Sequence, residues 1–86
     1  MNIREDQAQL NIVWQGYQGD LPDPIPLDMN DAAILEIATE AVRNGSVPGI
    51  PADPNVRFVG YRVDRRPPEH GVNYNRVFVR NETAFG

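Results

Sequence analysis

From Gln9 to Gln15 the apolar residues Leu10, Ile12 and Trp14 share one parity, and Val13 lies opposite them. That is the two-residue period of a strand with one buried face. Parity carries Trp14 to the inside, and the expected neighbours are Ile34, Ile37 or Ala41. Gly16-Tyr17-Gln18-Gly19-Asp20 then supplies two glycines where the chain must reverse, and predicts a hairpin. In Leu21-Pro22-Asp23-Pro24-Ile25-Pro26-Leu27 every second residue is proline, so the missing N–H groups all belong to one side of an extended chain. An edge strand tolerates that and a central one does not. Leu21, Ile25 and Leu27 then share a face, and the segment reads either as an edge strand beside the first or as an extended polyproline-type loop.

A different period governs Asp28 to Asn44. Ile34, Ile37, Ala38, Ala41 and Val42 stand at i, i+3, i+4, i+7 and i+8, the buried face of a helix, with Glu36 and Glu40 turned away. Asp28 or Asn30 can cap its start, Asp31 suits the first turn, Met29 and Ile34 can form a hydrophobic staple, and Arg43-Asn44-Gly45 ends it. Ser46 to Asn55 holds three prolines and one glycine and reads as an ordered loop. Val56 to Val63 predicts a strand with Val56 and Phe58 on one face, Arg57 on the other, and Gly60 as a bulge or turn. Arg65 to Gly71 is a second loop. Tyr74 to Arg80 closes the pattern as a proline-free strand, Val77 and Val79 inward, Arg76, Phe78 and Arg80 outward.

Composition narrows the functional classes. Eighty-six residues, 41% of them apolar, hold one core, too little chain for most enzyme folds. With no cysteine, disulfides, thiolate catalysis and sulfur-ligated metal are excluded. All eight basic side chains are arginine. No Schiff-base lysine and no ε-amine for modification is present, a bias that a GC-rich genome also produces. The polar start and the lack of a long apolar run predict neither signal peptide nor membrane span, and so a cytoplasmic protein.

A net charge of −4 argues against a general nucleic-acid or anionic-membrane binder. The average conceals a split: residues 1–56 carry two Arg against nine acids, whereas residues 57–80 carry six Arg against Asp64 and Glu69. Either the two halves attract each other across the fold, or the basic end is a docking site for an acidic protein surface.

Catalytic parts are scarce. His70 is the single imidazole, between Glu69 and Gly71 in a loop, so no histidine cluster exists, and a Ser/His/Asp arrangement would need Ser46 from another loop. Asp20, Asp23 and Asp28 lack the ligand spacing of a calcium loop and suit turns and caps. Neither a phosphate-binding loop nor a metal or cofactor site is expected.

The predicted order is β-β-α-β-β, an α+β chain in which the proline-free first and last strands suit the middle of a mixed sheet and one helix crosses a face. That is the arrangement of a β-grasp domain. Gly49-Ile50-Pro51-Ala52-Asp53, leading into Val56-Arg57-Phe58-Val59-Gly60, resembles the Gly-Ile-Pro-Pro-Asp loop and Gly-terminated strand of ubiquitin. The resemblance runs from about Leu10 to Gly86. It is nearest to the ubiquitin-like proteins of bacterial conjugation operons, although Phe85-Gly86 stands where ubiquitin has two glycines. It implies a polar arm over residues 1–8, a β-grasp domain over 9–80 and a tail over 81–86.

It further implies a protein modifier rather than an enzyme. The carboxylate of Gly86 would be adenylated by an activating enzyme and joined through an isopeptide bond to a target amine, with Phe85 and Ala84 gripped by that enzyme, a conjugating enzyme or a peptidase. The outward sheet face, which in ubiquitin recognises partners, would carry Arg57, Arg76, Phe78 and Arg80, with Tyr17 at its rim; Arg and aromatic residues are enriched at binding hot spots. An ordinary solvated face is the alternative for that surface. For the whole chain the alternatives are a structural or adaptor subunit of an assembly, such as a virion or defence complex, and a sulfur carrier.

Overall fold

A computed structural model describes residues 3–81, with strands β1 (Gln7–Trp14), β2 (Tyr17–Asp20), β3 (Ile25–Pro26), β4 (Tyr61–Arg66) and β5 (Asn75–Asn81) and one helix, α1 (Asp31–Arg43). The sheet runs β2-β1-β5-β4, and β3 continues the β2 side of β1. β1 and β5 pair in parallel, and the other pairs are antiparallel. The chain is therefore α+β, an open five-stranded mixed sheet with one helix. That architecture is compatible with a β-grasp arrangement, and both proline-free strands lie in its middle as their composition requires.

Strict alternation in β1 buries Ala8, Leu10, Ile12 and Trp14, and β5 adds Val77 and Val79 to the same face. Against that face the helix lays Ile34, Ala38, Ala41 and Val42. Its boundaries are chemical. Asn30 caps the start by accepting the Ala33 N–H at 2.8 Å, with Asp31 in the first turn and Met29 packed against the core that holds Ile34. At the other end the Ser46 N–H reaches Ala41 O at 2.8 Å and the Gly45 N–H reaches Val42 O at 3.2 Å, the paired bonds of a Schellman ending, with Gly45 at φ +69°. Ile37 lies only partly buried, on the flank of the helix.

The hairpin reverses earlier than expected. Gln15 and Gly16, both at positive φ, form a two-residue turn, and Gly19 sits within β2. Its bare α-carbon admits Pro48 of the following loop, where an added Cβ would fall 2.1 Å from Pro48 O. The proline segment pairs more briefly than a full edge strand, because only Ile25 and Pro26 join the ladder. Its parity holds nonetheless: Leu21 and Leu27 donate to Leu10 O and Asp6 O at 2.8 and 2.9 Å, while the prolines occupy the positions between.

The strand expected over Val56–Val63 is corrected. Val56 and Phe58 do face the core and Arg57 is exposed, but pairing begins only at Tyr61, after Gly60 at φ +77°. Arg65 and Arg66, expected in a loop, complete β4. Phe58 and Tyr61 fold over Trp14, with ring centroids 5.2 and 5.9 Å from it, so the start of β4 and the segment before it add aromatic neighbours to the core cluster that Trp14 shares with Ile34 and Ala41. Among the described residues no helix is long and apolar enough to cross a membrane.

Candidate protein-docking surface

Because β5 buries Val77 and Val79, its alternate residues Arg76, Phe78 and Arg80 face away from the helix. Antiparallel register decides what stands beside them: Arg62 is opposite Arg80, Asp64 opposite Phe78, and Arg66 opposite Arg76. Directly opposed residues share a face. Four arginines therefore frame Phe78 and Asp64, and the β1 neighbours on the other side are the polar Gln9 and Asn11. Farther out, Gln18 donates to Asn11 Oδ1 and Asn11 to Asp20 Oδ1, at 2.9 and 2.8 Å. Val13, Gln18, Arg80 and Asn81 line a shallow depression at that margin.

The guanidinium carbon of Arg80 lies 4.3 Å from the Phe78 ring centroid and that of Arg76 lies 5.5 Å from it. Stacking on the ring face steadies each cation while leaving its N–H edge for an acceptor. Arg62 meets Asp64 at 3.3 Å and Arg76 meets Glu69 at 3.9 Å, so the positive face is only partly neutralised. Like charges directly opposite on a sheet are unfavourable, by something like the 0.2–1 kcal/mol that an opposite pair contributes. Two such pairs occur here, and a bound carboxylate would relieve both.

The candidate surface residues divide. Arg76, Phe78 and Arg80 stand together on this face. Arg57 does not, because its segment ends before β4 begins pairing; it is exposed in the loop outside the sheet. Tyr17 is opposite Trp14, so it lies on the helix side, half-exposed beside Pro51, Ala52 and Asp53. Ala84, Phe85 and Gly86 fall outside the described residues. Sequence reasoning missed Arg62 and Arg66. Their signal was the alternation Arg62, Asp64, Arg66 against Tyr61, Val63, Arg65, which becomes readable once Gly60 is taken as the end of the preceding segment.

Arg65, of the inward parity, has a different task. It reaches Asp31 Oδ1 at 2.6 Å and Met29 O at 2.7 Å, tying β4 to the start of α1. His70 occupies a tight turn with Gly71, both at positive φ, closed by reciprocal Glu69–Val72 bonds at 2.9 and 3.0 Å. Among the described residues no three metal-ligating side chains gather. The arrangement suits electrostatic recognition of an acidic surface around an aromatic anchor. No known protein family, curated protein or solved structure matches the chain closely enough to show its kinship.

Proposed function

We propose that this chain is a ubiquitin-like protein modifier: a β-grasp domain without catalytic groups of its own, recognised through the arginine-framed face of its sheet and attached to target amines through Gly86. The supporting observation is the strand order, with the first and last described strands parallel at the centre, one helix across the inner face, and Arg and Phe residues on the outer one. β5 supplies both the centre of the docking face and, five residues beyond Asn81 in sequence, the reacting glycine. An activating enzyme would transfer the AMP of ATP to the Gly86 carboxylate with release of pyrophosphate, and an amine would then displace AMP from the acyl-adenylate to form an amide.

The experiment is intact-mass spectrometry and denaturing electrophoresis of the tagged protein, expressed with its neighbouring genes, beside a Gly86 deletion. Adducts shifted by about one 9.6 kDa chain, lost on the deletion, are expected. The reading requires Gly86 to end the mature chain, which the intact mass reads directly. A longer mature chain, or adducts indifferent to the deletion, would overturn it. A gain of one sulfur at the carboxylate would instead assign a sulfur carrier.

A further inference from the structure

On the side of the molecule opposite the arginines, the helix and the chain leaving β2 enclose an open groove of about 530 Å³. Leu21, Ala33, Ile37 and Ala41 make its floor, and Glu36 and Glu40 stand at its rim. Glu40 is shared with Arg43 at 3.7 Å between exposed side chains, and among the described residues no cation pairs with Glu36. The molecule thus carries an acidic-rimmed apolar groove on one face and a basic-rimmed aromatic on the other.

We infer that the groove receives the outer sheet face of a second copy of this chain, with Phe78 entering the floor and the Arg62/Arg80 pair meeting Glu36 and Glu40. The spacings agree. Glu36 and Glu40 lie one helical turn apart, about 6 Å along the axis, and Arg62 and Arg80, directly opposed across two strands, are about 5 Å apart. Phe78 lies on the same face about 7 Å from Arg80, two strand residues before it. Each carboxylate can take one guanidinium edge, which also relieves the repulsion within the arginine pair.

The two surfaces are different patches on opposite sides, so the contact is head-to-tail. One copy's groove remains open after its face is occupied, and association continues into a ring or filament rather than stopping at a two-fold dimer. A single groove makes a small contact, in the range of transient interfaces below about 1,200 Å², and assembly should be concentration-dependent. The inference rests on the sheet face being a docking surface and is independent of conjugation at Gly86, which the adduct assay reads separately.

Sedimentation velocity on the full chain over rising concentration tests it. The wild type should grow beyond dimer, and should return towards monomer in about 1 M salt, where screening shortens to roughly 3 Å. Arg62→Glu/Arg80→Glu and Glu36→Lys/Glu40→Lys should each remain monomeric with unchanged circular dichroism. Mixed in equal amounts they should assemble again, since the intact groove of one meets the intact face of the other and the two reversed surfaces, Glu against Lys, are complementary in turn. Should either charge swap unfold, Phe78→Ser for the face and Ala33→Gln for the groove serve instead, and their mixture should stop at heterodimers, since each contributes one intact surface and no complement to the other's damaged one. A wild type that stays monomeric or stops at dimer, a variant that assembles like the wild type, or a mixture that does not pair would overturn the inference.

Discussion

Asp53 accepts the Trp14 indole N–H at 2.9 Å through one oxygen and the Asn55 backbone N–H at 2.9 Å through the other. One carboxylate therefore fixes the Gly/Pro loop and satisfies the only polar atom of the largest core side chain. Asp53→Ala leaves that indole N–H without its partner and should lower stability by about 1–3 kcal/mol, read as an earlier urea midpoint with unchanged slope. Trp14→Ala removes the ring that Phe58 and Tyr61 pack against and should cost roughly 3–5 kcal/mol; unchanged melting would contradict the fold. Burial pushes the Tyr61 phenol above its ordinary 10.0, while a hydrogen bond from Asn81 opposes the shift. The fold thus favours the neutral phenol. Its stabilising effect is complete below the unfolded value and is lost as pH rises through the raised folded one. Urea midpoints of wild type and Tyr61→Phe should keep a constant difference up to about pH 9 and change their difference above it, the wild type losing more.

Among the elements, α1 depends on a few backbone partners at each end. Asn30→Ala removes the cap on Ala33 and should cost about 0.5–2 kcal/mol. Gly45→Ala forces a left-handed residue to carry a Cβ 3.0 Å from that of Ala52, and about 1–2 kcal/mol is expected from the backbone alone; thermal melts of both variants check these values. The helix, β1 and β5 were legible in the sequence because each has one buried face, and a buried face writes its period into the chain. β2 was not, because Gly19 reads locally as a turn residue; its reason is Pro48, a tertiary neighbour that no local pattern announces. The start of β4 was hidden for a related cause. Val56 and Phe58 alternate like a strand because they cover the end of the core, without pairing, so alternation there reports burial and not a ladder. The candidate docking face was legible to the same extent: Arg76, Phe78 and Arg80 followed from the parity of β5, whereas Arg62 and Arg66 required the register of β4.

At the scale of the whole molecule the arginine frame sets stability against the recognition proposed for it. Arg66→Glu turns one like-charge cross-strand pair into an opposite one and should stabilise the chain by about 0.2–1 kcal/mol, while weakening attachment to any acidic partner. A melt and a binding titration on the same variant should move in opposite directions; a loss of stability would remove the repulsion argument. The position of β5 has a consequence in time. It fills the gap between β1 and β4, setting Val79 beside both Ile12 and Val63. A nascent chain halted before Asn75 holds β1 with a bare inner edge and β4 with no strand to join, so synthesis must pass nearly to Asn81 before the sheet can close. Pairing so distant in sequence delays folding, because the long loop must be closed before any contact compensates its entropy. Until then the half-made chain offers an unpaired apolar strand to whatever meets it first, and the interval on the ribosome, more than the finished fold, is when this small protein is most exposed to aggregation and most in need of a chaperone.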